Sequence, residues 1–443
     1  MDAATLVLAI FGVMLVYFVL GAQVGFALGG LAMAFAAVFW GPQAFNLIPT
    51  TVQNSTTNFL LLAIPLFIFL GQVLMRSGLG EAMFHSVHVF AGRLRGGLAI
   101  GVILVCCLIS AMVGIIGAGI MTAGTVALPP MLRKGYNRYL ALGTIMAGGG
   151  LGILIPPSIP MVLYAAMTKA SLGQMFAGSL IPAAILVTLF ILYIAIRCWL
   201  RPQDGPALTK EELGTFKDKV IAARNGALAF ILIFFVLGTI LLGMATPTEA
   251  GAMGAFGACI LALFFRKFGW KELKESSIGT MRLTAICIWI LIGATVLSNF
   301  NLLMGAGNLV KGMFVDMGLG PLGTVAMMQF IMIVLGCFID EYVIVLICAP
   351  LFTPIVVALG YDPVWFGILM ILNLEIAIQT PPYGFALFYL KGVAPPDVTM
   401  LDIYKSITPF VLLKIVTLAL CMFVPETITW LPGEIFGTHT PGG

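Results

Sequence analysis

The sequence predicts an all-α polytopic membrane protein built as an inverted repeat, with two re-entrant hairpins and two broken helices. Three observations predict it. The 443 residues are 61% hydrophobic and 9% charged, with mean hydropathy +1.11, whereas a soluble domain carries roughly 25% charged residues. Apolar runs of about 20 residues, enough to cross a bilayer as helices, follow one another along the chain. And one pattern is written twice. Leu128-Pro129-Pro130-Met131, Gly135-Tyr136 and Ile155-Pro156-Pro157-Ser158 are answered by Thr353-Pro354, Gly360-Tyr361 and Thr380-Pro381-Pro382-Tyr383. The offset is 225 residues at Pro129/Pro354, Gly135/Gly360, Tyr136/Tyr361, Pro156/Pro381, Pro157/Pro382 and Tyr164/Tyr389. Chance rarely holds one register across so many Pro, Gly and Tyr positions.

The elements are expected in the following order. Spans lie near 4–20, 22–40 and 60–75. The first follows Met1-Asp2-Ala3-Ala4, which has no basic leader, so it reads as a retained helix and not a signal peptide. Asn54, Ser55, Thr56, Thr57 and Asn58 cap the third span. The stretch 97–131 is too long for one simple span and has small or polar residues from Ser110 to Gly119 at its middle, which predicts a re-entrant hairpin. A broken span 137–165 and a span 174–197 close the first half. After the linker come 228–243, 249–265 and 284–300, the second of these capped by Thr246-Pro247-Thr248-Glu249. The second hairpin is 325–358, with Gly336 to Glu341 at its middle; a broken span 362–388 and a last span 404–424 follow. Irregular backbone at membrane depth is tolerated only where it is buried in protein or lines a cavity.

Basic residues set the orientation. With the N-terminus outside, the loop 41–59 is outside and has no Lys or Arg. Arg76, Arg93, Arg95, Arg133, Lys134 and Arg138 then fall inside, as do Arg201, Lys210, Lys217, Lys219 and Arg224 of the polar linker. Arg266, Lys267, Lys271, Lys274, Arg282, Lys391 and Lys405 follow them inside; Lys169 and Lys311 fall outside, and the tail after Pro425 has neither residue. An odd number of passes in the first half inverts the second. The repeats are 1–197 and 228–443, joined by a cytoplasmic linker 198–227. The +4 net charge reports topology and implies no nucleic-acid partner.

The breaks are the candidate sites. In Gly148-Gly149-Gly150-Leu151-Gly152-Ile153-Leu154-Ile155-Pro156-Pro157-Ser158 the prolines remove backbone donors and the glycines loosen the helix. Freed carbonyls suit a desolvated Na⁺, and interrupted helices in corresponding places of two halves point to a transporter's binding site. Around the second break stand Asn373, Glu375, Gln379 and Thr380. Asn373 and Thr380 share a helical face and, with Gly150, are the expected substrate contacts. Glu375 lies off that face, either protonated or paired with a neighbouring helix; intramembrane ionisable residues default to functional hypotheses. Asp340-Glu341 at the second hairpin tip suggests a cation, while the first tip offers Ser110, Gly114, Gly117 and Gly119. His85 and His88 beside Arg93 and Arg95 read as an interfacial helix, the eight cysteines as free thiols without metal spacing, and Lys414 as a snorkelling side chain.

Four segments resemble the large membrane subunit of the tripartite ATP-independent periplasmic (TRAP) transporters: Leu62-Ala63-Ile64-Pro65-Leu66-Phe67-Ile68-Phe69, Gly150 through Ser158, Ala245-Thr246-Pro247-Thr248-Glu249-Ala250, and Asn373-Leu374-Glu375 through Thr380-Pro381-Pro382-Tyr383-Gly384. The resemblance implies an elevator-type secondary transporter of a bacterial inner membrane, with a small four-helix membrane partner and a periplasmic substrate-binding protein. Sodium would drive import of an organic acid, and no cofactor is implied. It places sodium at Ser110 to Gly114 with Gly152, Pro156 and Ser158, and at Asp340 with Thr380 and Pro381. The first tip departs from the Ser-rich form of the family, because Ala111-Met112-Val113 follows Ser110. Gly384 to Pro395 resembles branches that handle 2-oxo or hydroxy monocarboxylates.

A self-sufficient ion-coupled carboxylate carrier is the alternative within transport. An intramembrane enzyme using Asp340 and Glu341 as acid and base is the alternative outside it. Duplicated Pro-Pro breaks argue against the enzyme, whose site need not be echoed.

Overall fold

The computed structural model describes residues 22–80, 94–207, 216–264, 268–304 and 318–437, with a few residues of 9–20 and residues 83, 84 and 312. Most of the expected first span, with His85, His88, Arg93 and Lys311, lies outside the described residues.

Among the described residues every regular element is helical, and six helices are long and apolar enough to cross a membrane. The helices of the first half are α1 (Val24–Trp40), α2 (Leu47–Thr56), α3 (Ala63–Arg76), α4 (Gly97–Val113), α5 (Ile116–Val126), α6 (Leu128–Arg133), α7 (Arg138–Gly150), α8 (Ile159–Thr168) and α9 (Leu172–Leu200). Those of the second half are α10 (Phe216–Leu241), α11 (Pro247–Phe264), α12 (Trp270–Leu303), α13 (Gly320–Gly336), α14 (Glu341–Ala358), α15 (Pro363–Ala377), α16 (Phe385–Val393), α17 (Met400–Phe423) and α18 (Glu426–Phe436).

Local chemistry sets the ends. Gly135 and Gly360 both take φ in the left-handed region, +76° and +87°, where a side chain is disfavoured. Two residues on, Asn137 and Asp362 accept the first backbone N–H groups of α7 and α15. The 225-residue register thus repeats in backbone conformation as well as in letters. Asn58 accepts from Leu60 N at 3.1 Å, and Glu249 accepts from Thr246 N at 2.8 Å, so both expected caps are present.

Two stretches between the expected spans are helical. The segment 41–59 forms a short 3₁₀ turn and α2. Thr51 and Ser55, one turn apart, bury the face that rests on α12, where Asn299 donates to Thr51 Oγ1 at 3.2 Å. The basic segment 266–283 is largely the start of α12, whose 34 residues reach roughly 50 Å. A hydrocarbon core of about 30 Å leaves its first turns free to carry Lys271 and Lys274 in water, with Glu275 paired to Arg76 at 2.5 Å.

The helices pack as two groups. In one, α1 lies on α12 and α3 on α11, so each half supplies the neighbour of the other. Small residues let α1 and α12 approach closely: a Cβ on Gly29 would stand 3.2 Å from Gly293 Cα. The other group holds the two hairpins, α4–α5 and α13–α14, around the two broken helices, α7–α8 and α15–α16. Side chains of α7 and α15, including Ile145, Phe366 and Ile371, are fully buried there.

Candidate functional site

Each hairpin tip sits on a helix break. At the first, α4 ends at Val113 and the chain turns through Gly114, φ +64°, into α5. A Cβ on Gly114 would lie 2.5 Å from the Pro157 carbonyl oxygen, and one on Gly152 would lie 3.2 Å from the carbonyl carbon of Ile115. The tip therefore touches the break on both sides. Here α7 ends at Gly150, passes a 3₁₀ turn at Leu151–Ile153 and resumes as α8 after Ser158. Ser158 donates to the Ile153 carbonyl at 2.5 Å. The Ser110 hydroxyl is buried and has no protein hydrogen-bond partner.

At the second break α15 ends at Ala377 and α16 begins at Phe385. Thr380 donates its hydroxyl to the Ile376 carbonyl at 2.7 Å. Cys337, on the α13–α14 turn, stands 3.9 Å from the Pro381 carbonyl oxygen, and the rings of Phe338 and Tyr383 are 6.0 Å apart. Asp340 caps α14, accepting from Tyr342 N at 3.0 Å, which occupies one carboxylate oxygen. The paired prolines of both breaks, Pro156-Pro157 and Pro381-Pro382, have cis peptide bonds.

The expected ion ligands therefore fall into two groups, Ser110, Gly114, Gly152, Pro156 and Ser158 at one tip and Asp340, Thr380 and Pro381 at the other. The expected substrate contacts are dispersed. Asn373 is fully buried and donates to both the main-chain and side-chain oxygens of Gln329, 2.8 Å each, which ties α15 to α13. Asn373 Oδ1 and Gln329 Nε2 have no partner among protein groups. Gly150 faces neither tip; a Cβ there would stand 3.1 Å from Lys414 Nζ and closer still to the Gln379 amide.

Lys414 does not snorkel. It is fully buried, 2.9 Å from Glu375 Oε1, 2.6 Å from Gln379 Oε1 and 3.4 Å from the Glu375 carbonyl oxygen. Its position on α17, packed against both α7 and α15, turns it inward to Glu375, which takes the paired alternative. Gln329 and Lys414 were missed as site neighbours. The signal was present: each is a lone polar residue within an apolar run.

This geometry offers carbonyls and hydroxyls at two matched turns, buried at Ser110 and Ser158 of the first and half-buried at Thr380 and Pro381 of the second. Among the described residues no cluster of His, Cys, Asp and Glu could hold a metal in the manner of a catalytic centre.

A family model described as the tripartite ATP-independent periplasmic transporter, DctM component, matches residues 11–427. The chain is 30% identical to the C4-dicarboxylate TRAP transporter large permease protein DctM of Vibrio cholerae, over 99% of both chains. It is 27% identical to the ectoine TRAP transporter large permease protein TeaC of Halomonas elongata, over 84% of this chain and 86% of that one. It is 27% identical to the sialic acid TRAP transporter large permease protein SiaM of Vibrio cholerae, over 94% and 96%. In fold it is similar to the YdaH transporter of Alcanivorax borkumensis, with TM-score 0.65 at 15% identity over 88% of this chain and 90% of that one. It is also similar to Neisseria gonorrhoeae MtrF, with TM-score 0.54 at 13% identity, over 92% of this chain and 87% of that one. The chain is thus a multi-pass membrane permease and not an enzyme: it belongs to the DctM component family of tripartite ATP-independent periplasmic transporters.

Proposed function

We propose that this chain is the sodium-driven translocating subunit of an organic-acid importer in a bacterial inner membrane. The observation that carries the reading is the seating of both hairpin tips on both helix breaks, Gly114 on Pro157 and Cys337 on Pro381. At each seat a desolvated Na⁺ replaces the hydrogen bonds that the broken helix lacks. One ion takes Ser110 and the carbonyls near Gly114, Gly152, Pro156 and Ser158. The other takes Asp340, Thr380 and the Pro381 carbonyl. Filled sites hold each tip on its break, and the substrate binds between the breaks, beside Thr380.

The two halves form an inverted repeat, 1–197 and 228–443, with both termini periplasmic. The hairpins are re-entrant, and the hairpin group moves as an elevator against the α1, α3, α11 and α12 frame. Relatives named for C4-dicarboxylates and sialic acid support a carboxylate substrate. Family membership supports two partners, a small four-helix membrane subunit and a periplasmic binding protein that delivers the substrate.

The test is reconstitution in liposomes under an inward sodium gradient, with and without both partners. Uptake is expected only with both partners and only with sodium. Full uptake by this chain alone would establish the self-sufficient carrier instead.

A further inference from the structure

The second break contains a cation that is part of the chain. At the end of α15, Gln379 N bonds to Ile376 O and Thr380 N to Ala377 O. The Glu375 carbonyl therefore loses the backbone donor a continuing helix would give it. The Lys414 ammonium lies 3.4 Å from that carbonyl, 2.9 Å from the Glu375 carboxylate and 2.6 Å from the Gln379 side-chain oxygen. All three side chains are fully buried. A positive charge at a helix C-terminus also opposes the negative end of its dipole. Gln379 then passes the linkage on: its amide donates to the Met146 carbonyl of α7 at 3.0 Å. One ammonium thus joins α17, α15 and, through Gln379, the first broken helix.

The device exists in one half only. By the 225-residue register Glu375 corresponds to Gly150 and Gln379 to Leu154. By the register of Ser179/Ser406, 227 residues, Lys414 corresponds to Val187. The first half has no acid, amide or ammonium at these places. Its Gly150 instead leaves room for the network of the second half.

We propose that Lys414 is a positioning residue for ion coupling: a tethered cation that holds the second break in its ion-binding shape whether or not sodium is present. The first break lacks it and is shaped by sodium itself. The inference rests on the sodium-site reading above. Sodium activation of uptake by the complete three-component transporter in liposomes tests it, with wild type, Lys414→Met, the neutral double variant Glu375→Gln/Lys414→Met, and Gln379→Leu. The single Lys414 variant leaves a buried carboxylate unpaired and is apt to lose inserted protein; the double variant removes both charges and carries the test. In the double variant the half-saturating sodium concentration is expected to rise about tenfold or more, since a charged hydrogen bond at the break is lost. Gln379→Leu, which keeps the ion pair, is expected to raise it by a smaller factor. If the double variant keeps a half-saturating concentration within about twofold of wild type while only the maximal rate falls, the network is packing alone and the proposal is overturned. Wild-type uptake indifferent to sodium would instead remove the parent reading.

Discussion

Tyr164 and Tyr389 stand 225 residues apart, and each leans on the opposite half. The Tyr164 phenol, on α8, lies 3.1 Å from Thr353 Oγ1 of α14 and donates to the Pro363 carbonyl at 2.6 Å. The Tyr389 ring, on α16, covers Gly117 of α5, where a Cβ would lie 3.0 Å from the ring. The far arm of each broken helix therefore packs on the return arm of the other half's hairpin.

That exchange makes the Tyr164 hydroxyl structural. Tyr164→Phe is expected to lower stability by about 1–2 kcal/mol, because a half-buried carbonyl and a buried hydroxyl lose a partner. Thermal unfolding in detergent measures it. Unchanged unfolding would mean that Thr353 and Pro363 find other partners.

Gly114 and Gly135 both have positive φ, +64° and +76°, but only Gly114 touches anything: nothing lies within 4 Å of a Cβ at Gly135. Gly135→Ala is expected to cost only the left-handed penalty, roughly 1 kcal/mol, and to leave uptake intact. Gly114→Ala adds a collision with the Pro157 carbonyl and should abolish uptake by lifting the tip from its break. The pair is compared by transport rate per inserted protein; equal rates would separate the tip from function.

One substitution pair divides the observed cap role of Asp340 from its proposed role as an ion ligand. Asn is as good a helix cap as Asp, while Ala is not. Asp340→Asn should therefore insert and unfold like wild type yet lose sodium-driven uptake by about tenfold or more, the value of a charged ligand. Asp340→Ala should lose stability as well. Wild-type sodium activation in the Asn variant would reduce Asp340 to a cap.

The orientation has its own check. An alkaline phosphatase fused after Gly443 should be active, since both termini are proposed to be periplasmic. Activity of a cytoplasmic reporter at that point would exclude the inverted arrangement as drawn.

Much of this was legible because membrane folds write their breaks in Pro and Gly. The register of Pro156/Pro381 and Gly135/Gly360 located both broken helices, and length with small residues at mid-span located both hairpins. Contacts between elements were not legible. Nothing local says that Asn373 meets Gln329, 44 residues earlier. Lys414 was read as snorkelling because rotation about a helix axis is set by neighbours, not by composition. Asp340 was legible as a tip acid, but its capping bond to Tyr342 N appears only once α14 has a first residue. The loop reading of 41–59 failed because its polar residues bury one face on α12, a partner 248 residues away at Thr51 and Asn299.

The crossed packing of α8 on α14 and α16 on α5 bears on how the protein is made. While the ribosome has produced only the first half, α8 lacks the surface it will cover, and α5 lies bare where Tyr389 will later rest. A chain cut in the linker near residues 208–215 should yield two pieces that each await the other. Co-expressed, they should be recovered together or not at all. The covalent bridge between the halves therefore also sets their concentration relative to one another.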